Sequence, residues 1–357
     1  MKKMSDARAS NDSAKMRGAL EDAQKPLTDM RNHMDQCMSM MNMDAEHDEK
    51  VSGDARDVVV VGAGPAGLSA ALILGRCRRR ALVCDAGRPR NAVSHALHGF
   101  LSRDGIAPLE LRRIGREQLA PYDTIEIRDV EVVHARRTEA AFEVTLSTNE
   151  VVACRKLLVA TGVEDVLPEI SGIETLYGRS VFHCPYCDGW EFRDQPLAVY
   201  GRGNHGQGLA LELTAWSPDV VLCTDGPAGL EEHARQGLAQ HRIRLREQPI
   251  AALEGADGVL ERVVFASGDR LPRRAMFFST GQHQGSVLAA QLGCEFTAKG
   301  AVRTGEYETT NVAGLYVAGD ASRLVQLAIV AAAEGAEAAF AINTALLRED
   351  LARGHDV

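Results

Sequence analysis

Hydrophobic and polar positions follow two regimes along the chain. Through residue 54 the sequence is polar and methionine-rich, without a strand-like apolar run. From Arg56 onward, short continuous β-branched stretches alternate with longer, helix-spaced ones. Residues 58–61, a run of four valines bounded by glycine, read as a parallel strand buried on both faces. PAGLSAALILGRC then reads as a helix and ALVCDAG as a second strand, a strand–helix–strand unit of about thirty residues. Strand-rich stretches follow near 125–133 and 141–146, the second predicting a hairpin that leads into a buried strand at 156–160. A second strand, glycine turn and helix begin at PLAVYGRGNHGQGLALEL, with a further strand at DVVLCTD. GLYVAGDASRLVQLAIVAAAEGAEAAFAINTALL predicts a buried strand, a turn and a long alanine-rich helix. The pattern specifies an α/β fold of two Rossmann-like nucleotide-binding domains, one inserted into the other, behind a helical or disordered N-terminal tail.

At 357 residues the chain accommodates two ordinary domains plus a tail. A formal net charge of −9, with no basic–aromatic stripe, argues against a nucleic-acid partner. The apolar segment 58–75 is interrupted by Gly62, Gly64, Pro65 and Gly67, and no stretch reads as a membrane span. The first residues lack an apolar signal core, so a cytoplasmic location is expected. Of eight cysteines, six are scattered singly and read as inert.

Three motifs carry chemistry. Gly62-Ala63-Gly64-Pro65-Ala66-Gly67 follows a strand and opens a helix, the setting in which backbone N–H groups and the helix N-terminus cradle a pyrophosphate. Asp85 closes the next strand, near the spacing of an acid that bonds an adenosine ribose. The second motif, with Gly201, Gly203 and Gly206, is a candidate NAD(P) turn or an empty relic of one. Asp225 could take a ribose hydroxyl of NADH there, and no arginine pair follows to clamp the 2′-phosphate of NADPH.

The third motif is His183-Cys184-Pro185-Tyr186-Cys187-Asp188-Gly189. A C-x-x-C pair in such a chain is either a redox couple or half of a metal site, and no second ligand pair lies nearby. At a helix start the dipole would lower a thiol pKa, and Asp188 could pass the proton as thiol and disulfide interconvert. His205, His95 and His98 are alternative proton carriers. In the tail, Met30, Met34, Met38 and Met41 at near-helical spacing, with His33 and Cys37, form either a soft-metal face or a flexible contact surface.

VVVVGAGPAGLSAA, LLVATG (157–162), HCPYCDG and GLYVAGD (314–320), in this order, resemble the low-molecular-weight thioredoxin reductases among the pyridine nucleotide–disulfide oxidoreductases, over residues 57–347. The resemblance implies a discontinuous FAD domain (55–166 and 293–350), a pyridine-nucleotide-like domain carrying the cysteine pair (167–292), and an extension at 1–54. It implies that Gly62, Gly64, Pro65, Ala66, Gly67, Asp85, Asn91, Thr161, Gly162, Gly319, Asp320, Gln326 and Leu327 hold FAD. Cys187 would face the flavin, Cys184 would exchange with substrate, and Asp188 would be the acid/base. It further implies a homodimer acting on a thioredoxin-like protein or a small dithiol. The chain departs from the reductases at Gly206, in the absence of a His-Arg-Arg clamp after Asp225, in a shortened loop after Asp320, and at Val325. These departures and the CPYCDGWE spelling are closer to reductase-like dithiol oxidases, which pass electrons from small dithiols through FAD to oxygen.

Overall fold

The computed structural model describes residues 55–139 and 141–354. The tail, with its proposed metal set Met34, Cys37, Met38 and Met41, lies outside them. The first valine run forms β1 (Arg56–Val61), followed by α1 (Pro65–Arg76) and β2 (Ala81–Cys84). Next come α2 (Pro108–Leu119), β3 (Ile125–Arg128), β4 (Val132–Arg137), β5 (Phe142–Leu146) and β6 (Val151–Val159). The inner residues of β1 and all of β2 are buried, as a sheet covered on both faces demands.

These strands make a seven-stranded sheet in the order β3-β2-β1-β6-β5-β4. Its last member, β17 (Leu315–Val317), pairs with β6 from far along the chain. Strand β6 is longer than the segment 156–160 expected from sequence because its two halves have different neighbours. Residues 151–154 pair antiparallel with β5, and 157–159 pair parallel with β17. The core of this half is Val59, Leu82, Phe142, Leu157, Leu315 and their neighbours.

Between β6 and β17 the chain builds a second parallel sheet. It passes through β7 (Val163–Asp165), α3 (Ile173–Leu176), β8 (Val181–Phe182), α4 (Pro185–Asp188), β9 (Leu197–Tyr200), α5 (Gly203–Leu213), β10 (Val220–Cys223), α6 (Glu232–Gln240) and β11 (Arg244–Arg246). An antiparallel trio follows, β12 (Ile250–Ala256), β13 (Val259–Phe265) and β14 (Arg270–Pro272), then β15 (Ala275–Phe278), β16 (Gln282–Gln284) and α7 (Leu288–Gln291). The order β11-β10-β9-β15-β8 is parallel throughout, the arrangement of a nucleotide-binding half. Strands β7 and β16 form a two-stranded ribbon where the chain leaves and re-enters the first sheet. The fold is therefore two Rossmann-like units, the second inserted into the first.

The alanine-rich α8 (Ala328–Ala352) is long and apolar enough by composition to cross a membrane. Up to Thr344 it belongs to the compact body, where Ala338, Ala339 and Ile342 are fully buried. Its Gly335 sits so close to the start of α1 that a Cβ there would collide with the Ala66 carbonyl oxygen.

Candidate functional site

A cleft opens at the C-terminal ends of β1, β2, β6 and β17. The turn after β1 forms its floor, and its glycines have different jobs. Gly62 has φ +108°, and a Cβ there would collide with the Ala160 carbonyl. At Gly67 it would collide with the Gly62 carbonyl, so this glycine lets α1 seat on the strand end. Gly64 lines the cleft, and a Cβ there would meet nothing within 4 Å. The protein's own packing does not require glycine at Gly64, whereas a ligand seated on the backbone would. With Pro65 opening a twelve-residue helix, the turn fits the pyrophosphate of a dinucleotide.

Pro65, Ala66, Asp85, Asn91, Thr161, Gly162, Gly319, Asp320, Gln326 and Leu327 line the same cleft; Gly67 packs behind it. Asp85, however, is embedded between arginines. Its carboxylate accepts from Arg112 at 2.5 Å, Arg116 at 2.9 Å and the Gly87 N–H at 2.9 Å. Sequence reasoning missed these partners, although two arginines four apart on one face of α2 were a readable signal.

The centre of the cleft is organised by Arg90, which the sequence did not single out. Its guanidinium grips Asp165 with two bonds, at 2.9 and 2.5 Å. It also donates to the Asp320 carboxylate and the Gln326 carbonyl oxygen, each at 2.8 Å. Asp165 lies on the connecting ribbon and accepts a further bond from the Tyr177 hydroxyl at 2.6 Å. Burial pushes the Asp165 carboxyl up, but the Arg90 bonds outweigh it and hold the group below the usual range. Asp320 has only one branch of that guanidinium, and burial wins: its carboxyl is held above the usual range.

One sulfur of the pair, that of Cys187, lies on the wall of this cleft. Cys184 caps α4 and Cys187 lies within it; the two are joined as a disulfide with Cα atoms 5.3 Å apart. Cys187 and Asp188 line the cleft, whereas Cys184 does not. Burial, with the Glu191 charge adding to it, pushes the Asp188 carboxyl up to about 7. Burial and the Arg90 charge, against the pull of Asp165, lower His183 to about 4, so His183 is neutral at physiological pH. Of the other histidines, His98 lines the cleft, His95 is exposed, and His205 faces a separate cavity. Burial pushes the Cys84, Cys154 and Cys223 thiols up to about 12, in keeping with inert residues.

The second glycine turn is less open. A Cβ at Gly206 would reach the Gly201 backbone, so these two glycines serve contact between α5 and β9. Gly203 adopts φ +57°. Asn204, His205 and Gly208 line a cavity beside His183, Pro185 and Ser279. Arg202 folds over the end of β10, donating to the carbonyls of Thr224 (2.7 Å) and Asp225. One Asp225 oxygen accepts the Ile250 N–H at 2.7 Å, and the other lies 3.8 Å from Arg202. The acid expected to meet a ribose is thus already engaged. Among the described residues, no His, Cys, Asp and Glu group is arranged to hold a metal ion.

Two nucleotide-type sheets, with a dithiol motif on the second facing a cleft of the first, define a class: FAD-dependent oxidoreductases acting on sulfur groups. Within it, the model of the pyridine nucleotide-disulphide oxidoreductase family matches residues 56–335, and the chain belongs to that family. It is similar to thioredoxin reductase tcpT of Claviceps purpurea, at 34% identity over 275 residues covering 74% of this chain and 86% of that protein. The solved structure of HlmI superposes with a TM-score of 0.80 at 36% identity, covering 86% of this chain and 97% of that one. An oxidoreductase from Agrobacterium tumefaciens gives a TM-score of 0.77 at 31% identity, covering 82% and 99%. The chain is a thioredoxin reductase-like member of its family.

Proposed function

We propose that this protein oxidises small-molecule dithiols to disulfides with oxygen as the final acceptor. The overall reaction is R(SH)2 + O2 → RS2 + H2O2, in which the substrate loses two electrons and two protons and oxygen gains both. The observation that carries this reading over NADPH-driven reduction is the engaged second turn. One Asp225 oxygen accepts the Ile250 N–H, the other pairs loosely with Arg202 at 3.8 Å, and Arg202 is itself bonded to the Thr224 and Asp225 carbonyls. NADPH or NADH at Gly201, Gly203 and Gly206 is the second reading, favoured by the glycine turn itself and by the reductase name of a relative.

FAD fits the main cleft on the evidence of Gly64, whose missing side chain serves no packing need. In this reading the turn from Gly62 to Gly67 holds the pyrophosphate. Asn91, Thr161, Gly162, Gly319, Asp320, Gln326 and Leu327 hold the remainder, while Asp85, held by Arg112 and Arg116, shapes the cleft wall and is not free for a ribose hydroxyl. Bound flavin supplies a two-electron acceptor, and the protein supplies the sulfur relay. Cys184 receives the attack of a substrate thiolate. Cys187, on the cleft wall, departs with the electron pair, Asp188 carries the proton, and the second substrate thiol resolves the mixed disulfide at Cys184. Exposed Tyr186 and Trp190 beside the pair offer apolar surface to the substrate. The reading includes the division into 55–166 with 293–350 and 167–292, a homodimer, a cytoplasmic location, and a tail at 1–54 that is dispensable for the flavin chemistry.

Anaerobic mixing tests it. Flavin absorbance should bleach with a dithiol such as dithiothreitol, stay unchanged with NADPH or NADH, and recover in air with one peroxide per dithiol. Rapid bleaching by either nicotinamide would reject the oxidase reading in favour of a reductase.

A further inference from the structure

The cleft contains a set of ionisable side chains that the sulfur relay alone does not use. His98, on the loop at residues 86–107, lines the same cleft as Asp188. Its Nε2 lies 3.5 Å from a Glu191 carboxylate oxygen, and its Nδ1 lies 3.7 Å from the Asp104 carboxylate. Asp104 is 72% exposed and is tethered by the Gly99 N–H at 2.7 Å. The second Glu191 oxygen is sealed from solvent and has no hydrogen-bond partner. Glu191 stands three residues beyond Asp188, and its charge acts on that carboxyl. Burial and the Asp165 bond, with a smaller push from the Asp188 charge, raise the Tyr177 hydroxyl. Arg193 and Arg103 turn away, to the carbonyls of Trp190 and Ser102.

We propose that Glu191 and His98 are positioning residues of a proton path that connects Asp188 to solvent at Asp104, resting on the reading of Asp188 as the acid/base of the cysteine pair. The exchange moves two protons, and such a path lets Asp188 equilibrate each of them with solvent. A substrate thiol gives up its proton and attacks Cys184, the Cys184–Cys187 bond breaks, and the Cys187 sulfur leaves with the electron pair and takes a proton. The second substrate thiol gives up its proton and attacks the mixed disulfide. The substrate leaves as a disulfide and the Cys184 sulfur is protonated. Two protons and two electrons move from substrate to cysteines. Asp188 is back in its starting state only when each accepted proton has been returned, and exchange with solvent speeds that return when donor and acceptor sulfurs act at different times. An imidazole between Glu191 and Asp104 can accept at one ring nitrogen and release at the other. The Glu191 oxygen without a partner is the acceptor that a protonated Asp188 or an intervening water would satisfy.

The test uses the full-length holoenzyme under anaerobic conditions. Reduction of the Cys184–Cys187 disulfide by dithiothreitol is followed by rapid alkylation of the freed thiols. Asp188→Asn should slow this step about a hundredfold, the scale of a positioned proton-transfer group. His98→Ala should slow it about tenfold, because water replaces part of the path, and added imidazole should restore it. Glu191→Gln should move the inflection of the pH profile to lower pH by removing the charge that helps keep Asp188 protonated. His98→Gln, closer in size, controls for loss of packing and should be slow without refolding defects. A His98→Ala rate within about twofold of wild type, or a slow rate that imidazole leaves unchanged, would overturn the path while leaving Asp188 in place. An unimpaired Asp188→Asn would remove the underlying reading as well.

Discussion

Arg90 is where removal of one side chain should be felt most. Its side chain is 14% exposed and that of Asp165 only 4%, so the pair sits largely out of water. Arg90→Ala leaves the Asp165 carboxylate with the Tyr177 hydroxyl as its remaining neutral donor, and takes from Asp320 the guanidinium that faces it. Removing one partner of a buried ion pair typically costs about 3–5 kcal/mol. The retained tyrosine bond and the option of protonating Asp165 place this site near the low end, about 3 kcal/mol at neutral pH. The sign with pH follows from the carboxylate. In the wild type its pKa is depressed, so its stabilisation is present above the unfolded value and lost as pH falls through the folded one. Without Arg90, burial is opposed only by the Tyr177 bond and the nearby His183, and protonation relieves the stranded charge. The penalty should therefore shrink toward acid pH. Urea unfolding of wild type, Arg90→Ala, Asp165→Asn and the double variant completes a cycle, in which the double variant should recover about 1–2 kcal/mol relative to the sum of the singles. A penalty below about 0.5 kcal/mol for Arg90→Ala, or strict additivity, would refute the account of Arg90 as the hub of the cleft.

The glycines of the first turn should separate packing from binding. Gly67→Ala should destabilise by about 1–3 kcal/mol despite the better helix propensity of alanine, because its Cβ meets the Gly62 carbonyl. Gly64→Ala should leave the urea midpoint of the flavin-free protein unchanged yet lose bound flavin, since its Cβ enters only the cleft. Equal flavin content in Gly64→Ala and wild type would show that nothing seats on that backbone. Asp188→Asn should stabilise the oxidised protein relative to wild type above neutral pH. The raised pKa means that the wild-type carboxyl's contribution is intact below 3.8 and is lost as pH rises through about 7. The full difference is about 4 kcal/mol by that shift, and chemical denaturation at acid and alkaline pH should show the two proteins converging in acid.

Much of this architecture was legible because it depends on local pattern. The valine run at β1, the glycine turn and the length of α8 follow from periodicity and backbone sterics alone, and the sulfur pair follows from spacing. The antiparallel trio β12–β14 went unassigned, although Asp257 and Gly258, both at positive φ, supply a hairpin turn that a sequence can signal. Arg90 could not be found in this way. Its partners Asp165, Asp320 and Gln326 lie 75, 230 and 236 residues away, and periodicity carries no information about polar groups that converge from separate loops. His98 and Glu191 meet for the same tertiary reason. Asp85 and Asp225 illustrate a third limit. Each ends its strand where expected, but whether an acid is free for a ribose depends on which arginines fold over it.

The claim on which the rest depends is that electrons cross between the flavin and Cys187. Stopped-flow absorbance of the holoenzyme mixed anaerobically with dithiothreitol, compared for wild type and Cys187→Ser, tests it most directly. The wild-type flavin should bleach within the turnover time, and the Cys187→Ser flavin should stay oxidised. Bleaching of the serine variant at the wild-type rate would contradict the account, because the electrons would then reach the flavin without the sulfur that lines its cleft.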